Sequence, residues 1–219
     1  MPPTDRFVPR FAAEPPQEGA PYGRWAQRLT EEFLAACLRV DSGDQDLGEP
    51  GEIAWHPDRT YGGRTYVPAT ALTTTQVELF GYVSFAPAAE GEEPSDMQAS
   101  ADFTTETAER NPQWKIDLCD EPIDRWRGEE GNQAAVALVW GRPLVPGAVV
   151  VTAELAGLAV DQCTALHDRF TLIAPDDYRA DTLEIALFDR RGRELARESL
   201  YEEDDGDEGD EDSDEGPKA

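Results

Sequence analysis

The sequence predicts a mainly β (or α+β) protein: an antiparallel β-sandwich-like body with one N-terminal amphipathic helix, a proline-rich N-terminal arm and a disordered acidic C-terminal tail. Three observations lead there. Apolar residues recur at helical spacing in only one stretch, short alternating or continuous apolar runs separated by turn residues fill most of the chain after residue 53, and acid is concentrated at the C-terminal end. The 219 residues are 39% hydrophobic and include five Trp, enough to bury a core. Three segments follow: an arm over 1–21, a β-rich body over 22–201 and a tail over 202–219. A sub-boundary at 88–100, in a loop rich in Pro, Gly and acid, would split the body into two β modules.

The arm holds six prolines and no sustained periodicity, which predicts extended, polyproline-like chain. Within it "RFVPRF" sets Phe7 and Phe11 beside Arg6 and Arg10, a short motif able to pack on its own body or dock on another protein. From Tyr22 to Val40, Trp25, Leu29, Phe33, Ala36, Cys37 and Val40 repeat at three- and four-residue steps, so the spacing predicts a helix with one apolar face. Cys37 lies on that face as a small buried hydrophobe. The following "DSGDQDLGEPGE" departs from the calcium-loop pattern, with Asp46 where the turn requires Gly, and reads as a solvated acidic loop.

In "TYGGRTY" the glycine pair supplies the positive φ angles of a two-residue hairpin turn. It sets Tyr61 opposite Arg64, Thr60 opposite Thr65 and Arg59 opposite Tyr66. "QVELFGYVSFAP" alternates as a strand covered on both faces, with Val77, Leu79 and Gly81 on one side and Phe80, Tyr82 and Ser84 on the other. "WKIDLC" is a short strand, "DEPIDRWRGEEGNQ" reads as a surface loop carrying Trp126, and "AAVALVW" suits the centre of a sheet, with Trp140 buried. "GAVVVTAELAGLAV", "DRFTLIAP" and "DTLEIALFDRRGRELARESLY" follow at antiparallel spacing. The last contains a three-residue turn with Gly192 left-handed and Asp189 opposite Arg193. That register places Leu183, Ile185, Leu187 and Leu195 on one face and Glu184, Phe188, Glu194 and Glu198 on the other.

Charge narrows the partners. The net charge is −27; residues 202–219 hold 11 acids and one lysine, so −10 lies there and −17 on the remainder. Such a body repels phosphate backbones and anionic headgroups, which argues against nucleic acid and membrane surfaces and for basic proteins or cations. A salt-loving host or a GC-rich coding bias would give the same acidity without a partner. The tail has the composition of a flexible polyanion, or of a solubilising spacer. Three cysteines without a C-x-x-C pair argue against a disulfide framework or zinc ribbon. With no signal-like or membrane-length apolar run, a cytoplasmic location is expected.

No phosphate-binding loop, dinucleotide fingerprint, nucleophile elbow or H-E-x-x-H motif occurs. The two histidines give the only catalytic or metal candidates, His56 with Asp58 and His167 with Asp168. Turn-side surface positions are the ordinary setting for such residues, and no cofactor is expected. The expected function is a non-enzymatic interaction or assembly protein. It would bind a basic or apolar-grooved protein partner through Phe7, Phe11, Trp126, Arg125 and Arg127, helped by the acidic tail. An inhibitor of a basic partner is one form of this. A metal-dependent hydrolase using His56 and His167 is one alternative. A carbohydrate-binding sandwich is another, and it requires two or three exposed aromatic rings in one plane.

Overall fold

A computed structural model of the chain describes residues 24–87, 94–127, 133–176 and 181–200. The proline-rich arm with Phe7 and Phe11, and the acidic tail, lie outside the described residues. The protein is mainly β: among the described residues one helix, α1 (Arg24–Cys37), is followed by twelve strands in three antiparallel sheets. No helix among the described residues is long and apolar enough to cross a membrane.

The first sheet contains β1 (Ala54–Trp55), β3 (Arg64–Leu72), β4 (Glu78–Ala86) and β5 (Ser95–Thr104) in that order, with β2 (Arg59–Tyr61) also paired to β3. The Gly-Gly hairpin has the register read from sequence, Arg59 opposite Tyr66 and Tyr61 opposite Arg64. Thr60 and Thr65 share a 2.9 Å hydroxyl hydrogen bond, and Gly62 and Gly63 have φ of 59° and 78°. Helix α1 covers one face of this sheet, Leu29, Phe33 and Cys37 packing on Val67, Ala69, Leu79 and Val83. Trp25 sets its ring edge-on to Phe85 at 4.9 Å, and Phe33 meets Trp55 at 5.9 Å. The helix stops at Cys37, short of the expected Val40. The N–H groups of Arg39 and Val40 bond to carbonyls only three residues back, and Leu38 is left 87% exposed.

The middle sheet is β10 (Phe170–Asp176), β7 (Gln133–Pro143) and β6 (Ile116–Arg127). β7, the "AAVALVW" run, is its central strand and is buried on both faces, Trp140 included. Val136, Leu138, Trp140 and Ile173 meet Tyr66, Phe80 and Tyr82 from the first sheet. Val139, Leu172, Ala174 and Phe170 face Val151, Leu155, Ile185 and Leu187 of the outer sheet. That sheet runs β12 (Glu194–Ser199), β11 (Leu183–Phe188), β8 (Val150–Leu155), β9 (Leu158–Thr164). The order of layers is therefore helix, sheet, sheet, sheet.

Three readings need correction. Residues 120–127 form the second half of β6, kinked by a bulge between Pro122 and Asp124, where composition suggested a loop. Segment 88–93 joins paired strands of one sheet, so the change of sheet falls at 105–115 and not within 88–100. In the final hairpin, Asp189 donates to Arg193 O and Gly192 has φ of 74°, as read. A bulge at Leu195 then shifts the register, so Leu187 opposes Ala196 and Glu198 opposes Ile185. Glu198 therefore lies on Ile185's face, where its Oε1 accepts N–H bonds from Lys115 (3.0 Å) and Ile116 (3.3 Å) across the β6/β12 seam.

The opposite seam, β9/β10, is closed by Asp161. Its Oδ2 accepts the Ile173 N–H at 2.9 Å and lies 2.8 Å from Arg59 Nη2, which also donates to Oδ1, while Arg59 Nη1 donates to Thr171 O. Arg59 is 1% and Asp161 9% exposed. Burial raises the Asp161 carboxyl above its usual range even though the guanidinium and neighbouring N–H groups pull it down, so charge desolvation outweighs the pair's attraction. Removing one partner is then worse than removing both. Arg59→Ala is expected to lower unfolding free energy by about 3–5 kcal/mol, and Arg59→Met with Asp161→Leu to recover most of that loss, both read from urea unfolding.

Candidate functional site

The first and middle sheets separate at one end, where the chain enters β1 and β4 and where β6 meets β7. A cleft of about 180 Å³ opens there, walled by Ala54, His56, Thr70, Leu72, Glu78, Asp117, Cys119, Gly141 and Arg142, with Glu52, Glu109 and Arg169 at its margin. The strands approach this closely because residue 141 is glycine: a Cβ there would lie 1.9 Å from Asp117 O. Two further cavities continue from the cleft. The next shares Glu78, Asp117 and Cys119 with it and adds Phe80, Thr104, Glu106, Trp114, Leu118 and Asp120. The last shares Trp114, Leu118 and Asp120 and ends at Glu198, Ser199 and Leu200. Asp117 and Cys119 face one side of β6 and Ile116, Leu118 and Asp120 the other, so the series forms a trench that wraps around the edge of β6, from the first-sheet side to the outer-sheet side.

The trench is acidic. Glu52, Glu78, Glu106, Glu109, Asp117, Asp120 and Glu198 line it, against two arginines. Arg142 is engaged, its Nε donating to Asp117 Oδ2 at 2.8 Å and its Nη2 to Glu109 at 3.3 Å; Arg169 reaches back to the Trp55 carbonyl. Among the described residues no ion pair reaches Glu78, whose Oε1 accepts from the Cys119 thiol at 4.0 Å. Burial raises its pKa to about 7, Asp117 and Glu109 adding to the rise and Arg142 opposing it. Asp120 and Glu121 are also raised, burial first. Leu200, the last described residue, is part of the trench wall, so the 11 acids beyond it join the chain at this end.

His56 is not a surface histidine. It is 6% exposed, because its backbone N–H bonds to Pro68 O beyond β1 and the ring is brought to the backbone of Phe170 and Gly141, whose hydrogen bonding favours its charged form. Burial lowers its pKa to about 3, with Arg169 and Arg142 adding to the effect, so the ring is neutral at pH 7. Its Nδ1 has no hydrogen-bond partner; the same holds for Arg59 Nε, Trp140 Nε1 and Thr171 Oγ1. Thr171 pairs with Trp140 and Phe170 with Gly141, so these four orphaned atoms gather where the first sheet meets the middle one. Unsatisfied buried groups are costly and few, and ordered water is their ordinary partner.

The other sequence candidates are scattered. His167 and Asp168 are exposed in the β9–β10 turn with left-handed φ of 50° and 58°, whereas His56 and Asp58 lie between β1 and β2. Among the described residues no group of three or more His, Cys, Asp and Glu side chains could hold a metal ion. Trp126, expected to be exposed, is half-buried and packs toward both cores, because β6 continues through it; Arg125 and Arg127 are exposed beside it. No Trp or Tyr among the described residues is exposed, so the planar ring platform of a sugar-binding face is not found there. Burial pushes the Cys37 thiol up to about 11 and Cys163 up to about 12, and raises Cys119 well above its ordinary value, which keeps all three protonated.

Glu78, Glu109, Asp117, Cys119 and Arg142 were not singled out from sequence. One signal for Glu78 was available: alternation in "QVELFGYV" puts it on the same side as Phe80, a carboxylate on an aromatic face. The chain matches no protein-family model, no curated protein and no solved structure.

A raised carboxyl pKa in the fold means that the folded state holds its proton longer than the unfolded state. Glu78 therefore lowers stability as pH rises from about 4.5 to about 7. Glu78→Gln removes that penalty: the variant is expected to gain about 1–2 kcal/mol over the native chain at pH 8 and almost nothing at pH 4, as read from paired thermal melts.

Proposed function

We propose that the protein is a non-enzymatic interaction protein that binds an extended basic segment of another protein along the β6 trench. The observation that carries this reading is the continuity of the three cavities, which places seven carboxylates and the half-buried Trp114 along one strand edge with few cations to balance them. An extended peptide offers alternating side chains to both walls of such a groove. Its lysines and arginines would meet the carboxylates, and one could stack on Trp114. The overall charge of −27 speeds encounter with a basic partner and makes that encounter salt-sensitive. The tail, joined at the Leu200 end, adds to this field without contributing specificity of its own. An inhibitor of a basic partner would use the same surface. A cytoplasmic location fits three thiols held protonated by burial, and is proposed on the same footing.

Neutralising the trench tests this reading against a general charge effect. Glu106→Gln with Asp120→Asn is expected to weaken a fluorescent Arg/Lys-rich peptide roughly fivefold or more in anisotropy titrations. Asp44→Asn with Glu49→Gln removes the same charge from the loop after α1 and should leave affinity within about twofold. Equal losses in both variants would reduce the interaction to net charge and remove the trench.

A further inference from the structure

We propose that the His56–Glu78 cleft is an anchor pocket for the guanidinium group of one arginine in the bound segment, and that Glu78 supplies the carboxylate that receives it. This inference rests on the trench reading above and assigns one end of the trench a specific chemistry.

The groups around Glu78 come from every element that packs near it. Asp117 and Cys119 belong to β6, Arg142 to β7, Glu109 to the connector before β6, Arg169 to the turn before β10, and His56 and Glu52 flank β1. Asp117 and Glu109 are already held by Arg142, and among the described residues no ion pair reaches Glu78, which feels Arg142 only at longer range. A carboxylate without a cation, its Oε1 met only by the weak Cys119 thiol donor, matches the fork of a guanidinium, two parallel N–H bonds to one acceptor. An arginine keeps its charge on entering a half-buried site, where a lysine ammonium readily gives its up. Buried and neutral, His56 is the independent observation: the residue lines this cleft, and its buried Nδ1 has no hydrogen-bond partner among the described residues. The remaining wall, Ala54, Leu72 and the Cys119 thiol, suits the methylene stem of the incoming side chain.

Such a pocket couples binding to a proton. With its carboxyl near pH 7 in the free protein, Glu78 is largely neutral at pH 6 and must ionise to pair with the guanidinium, so each anchoring event at low pH releases a proton. The ionised fraction rises from about a tenth at pH 6 to about nine tenths at pH 8, so affinity should rise nearly tenfold over that interval.

The test uses the full-length chain and a blocked peptide of alternating arginine and serine, with its lysine and citrulline counterparts, titrated by calorimetry at pH 6, 7 and 8. The native protein is expected to bind the arginine peptide close to tenfold tighter at pH 8 than at pH 6. In buffers of different ionisation heat it should release close to one proton per peptide at pH 6. Glu78→Gln should bind about tenfold more weakly at pH 8 with no such pH dependence, and citrulline should abolish anchoring. If the native chain and Glu78→Gln bind the arginine peptide with the same affinity and pH profile, the anchor falls while the trench stands. Absence of proton release by the native chain, a measurement that needs no variant, also overturns the anchor. A lysine peptide bound as tightly with the same pH profile overturns the guanidinium assignment. No binding of the arginine peptide at any pH overturns anchor and trench together.

Discussion

Arg59 and Asp161 form the joint on which the layering depends. β2 contributes three residues to the first sheet, yet Arg59 passes beyond it to Thr171 O in the middle sheet and to Asp161 in the outer one. One side chain thus ties together all three sheets. The joint is polar because of where it sits: β9 and β10 belong to different sheets, and the N–H of Ile173 points into their seam, where a carboxylate can accept it. The acid then needs a counter-charge, and burial on all sides requires that charge to have a rigid, multi-donor head. Glu198 does the same at the β6/β12 seam, but its acceptors face the surface and no cation is required. Two carboxylates, one buried and one marginal, close the two edges of the sandwich.

What local chemistry could set, the sequence made legible. The Gly-Gly hairpin depends only on two positive φ angles and neighbouring pairs, so its register followed from seven residues. β7 was recognisable as a central strand because burial on both faces writes itself as a continuous apolar run. The second half of β6 was hidden by an edge strand's own protection: Pro122, a bulge and five charged residues from Asp120 to Arg127 resemble a loop in composition while pairing with β7 on both sides of the bulge. The β12 faces were misassigned because one bulged residue inverts every side chain after it.

The trench was illegible for a different reason. Its walls come from positions 52–56, 70–72, 78–80, 104–120, 141–142, 169 and 198–200, and no spacing in the chain records that these meet. In a protein with 46 acids, a functional carboxylate has no compositional signature. His56 illustrates the converse: preceding a proline in a polar stretch, it reads as a turn residue, and only the sheet-to-sheet contact buries it.

The distribution of arginine connects stability with recognition. Most described arginines with a resolved role are committed to acids of the body: Arg59 to Asp161, Arg142 to Asp117 and Glu109, Arg197 to Glu154, Glu184 and Glu194. Where a carboxylate closes a seam or faces its neighbours on a sheet, the chain supplies the cation itself. At the cleft end of β6 it supplies Arg142 for Asp117 and Glu109, while Glu78 beside them keeps its proton near neutrality in place of a partner. A fold that neutralises its structural acids internally but leaves Glu78 without an ion pair among the described residues holds unspent electrostatic interaction in one cleft. A cation entering there replaces a proton, not an existing salt bridge, which is the arrangement that binding requires and packing does not.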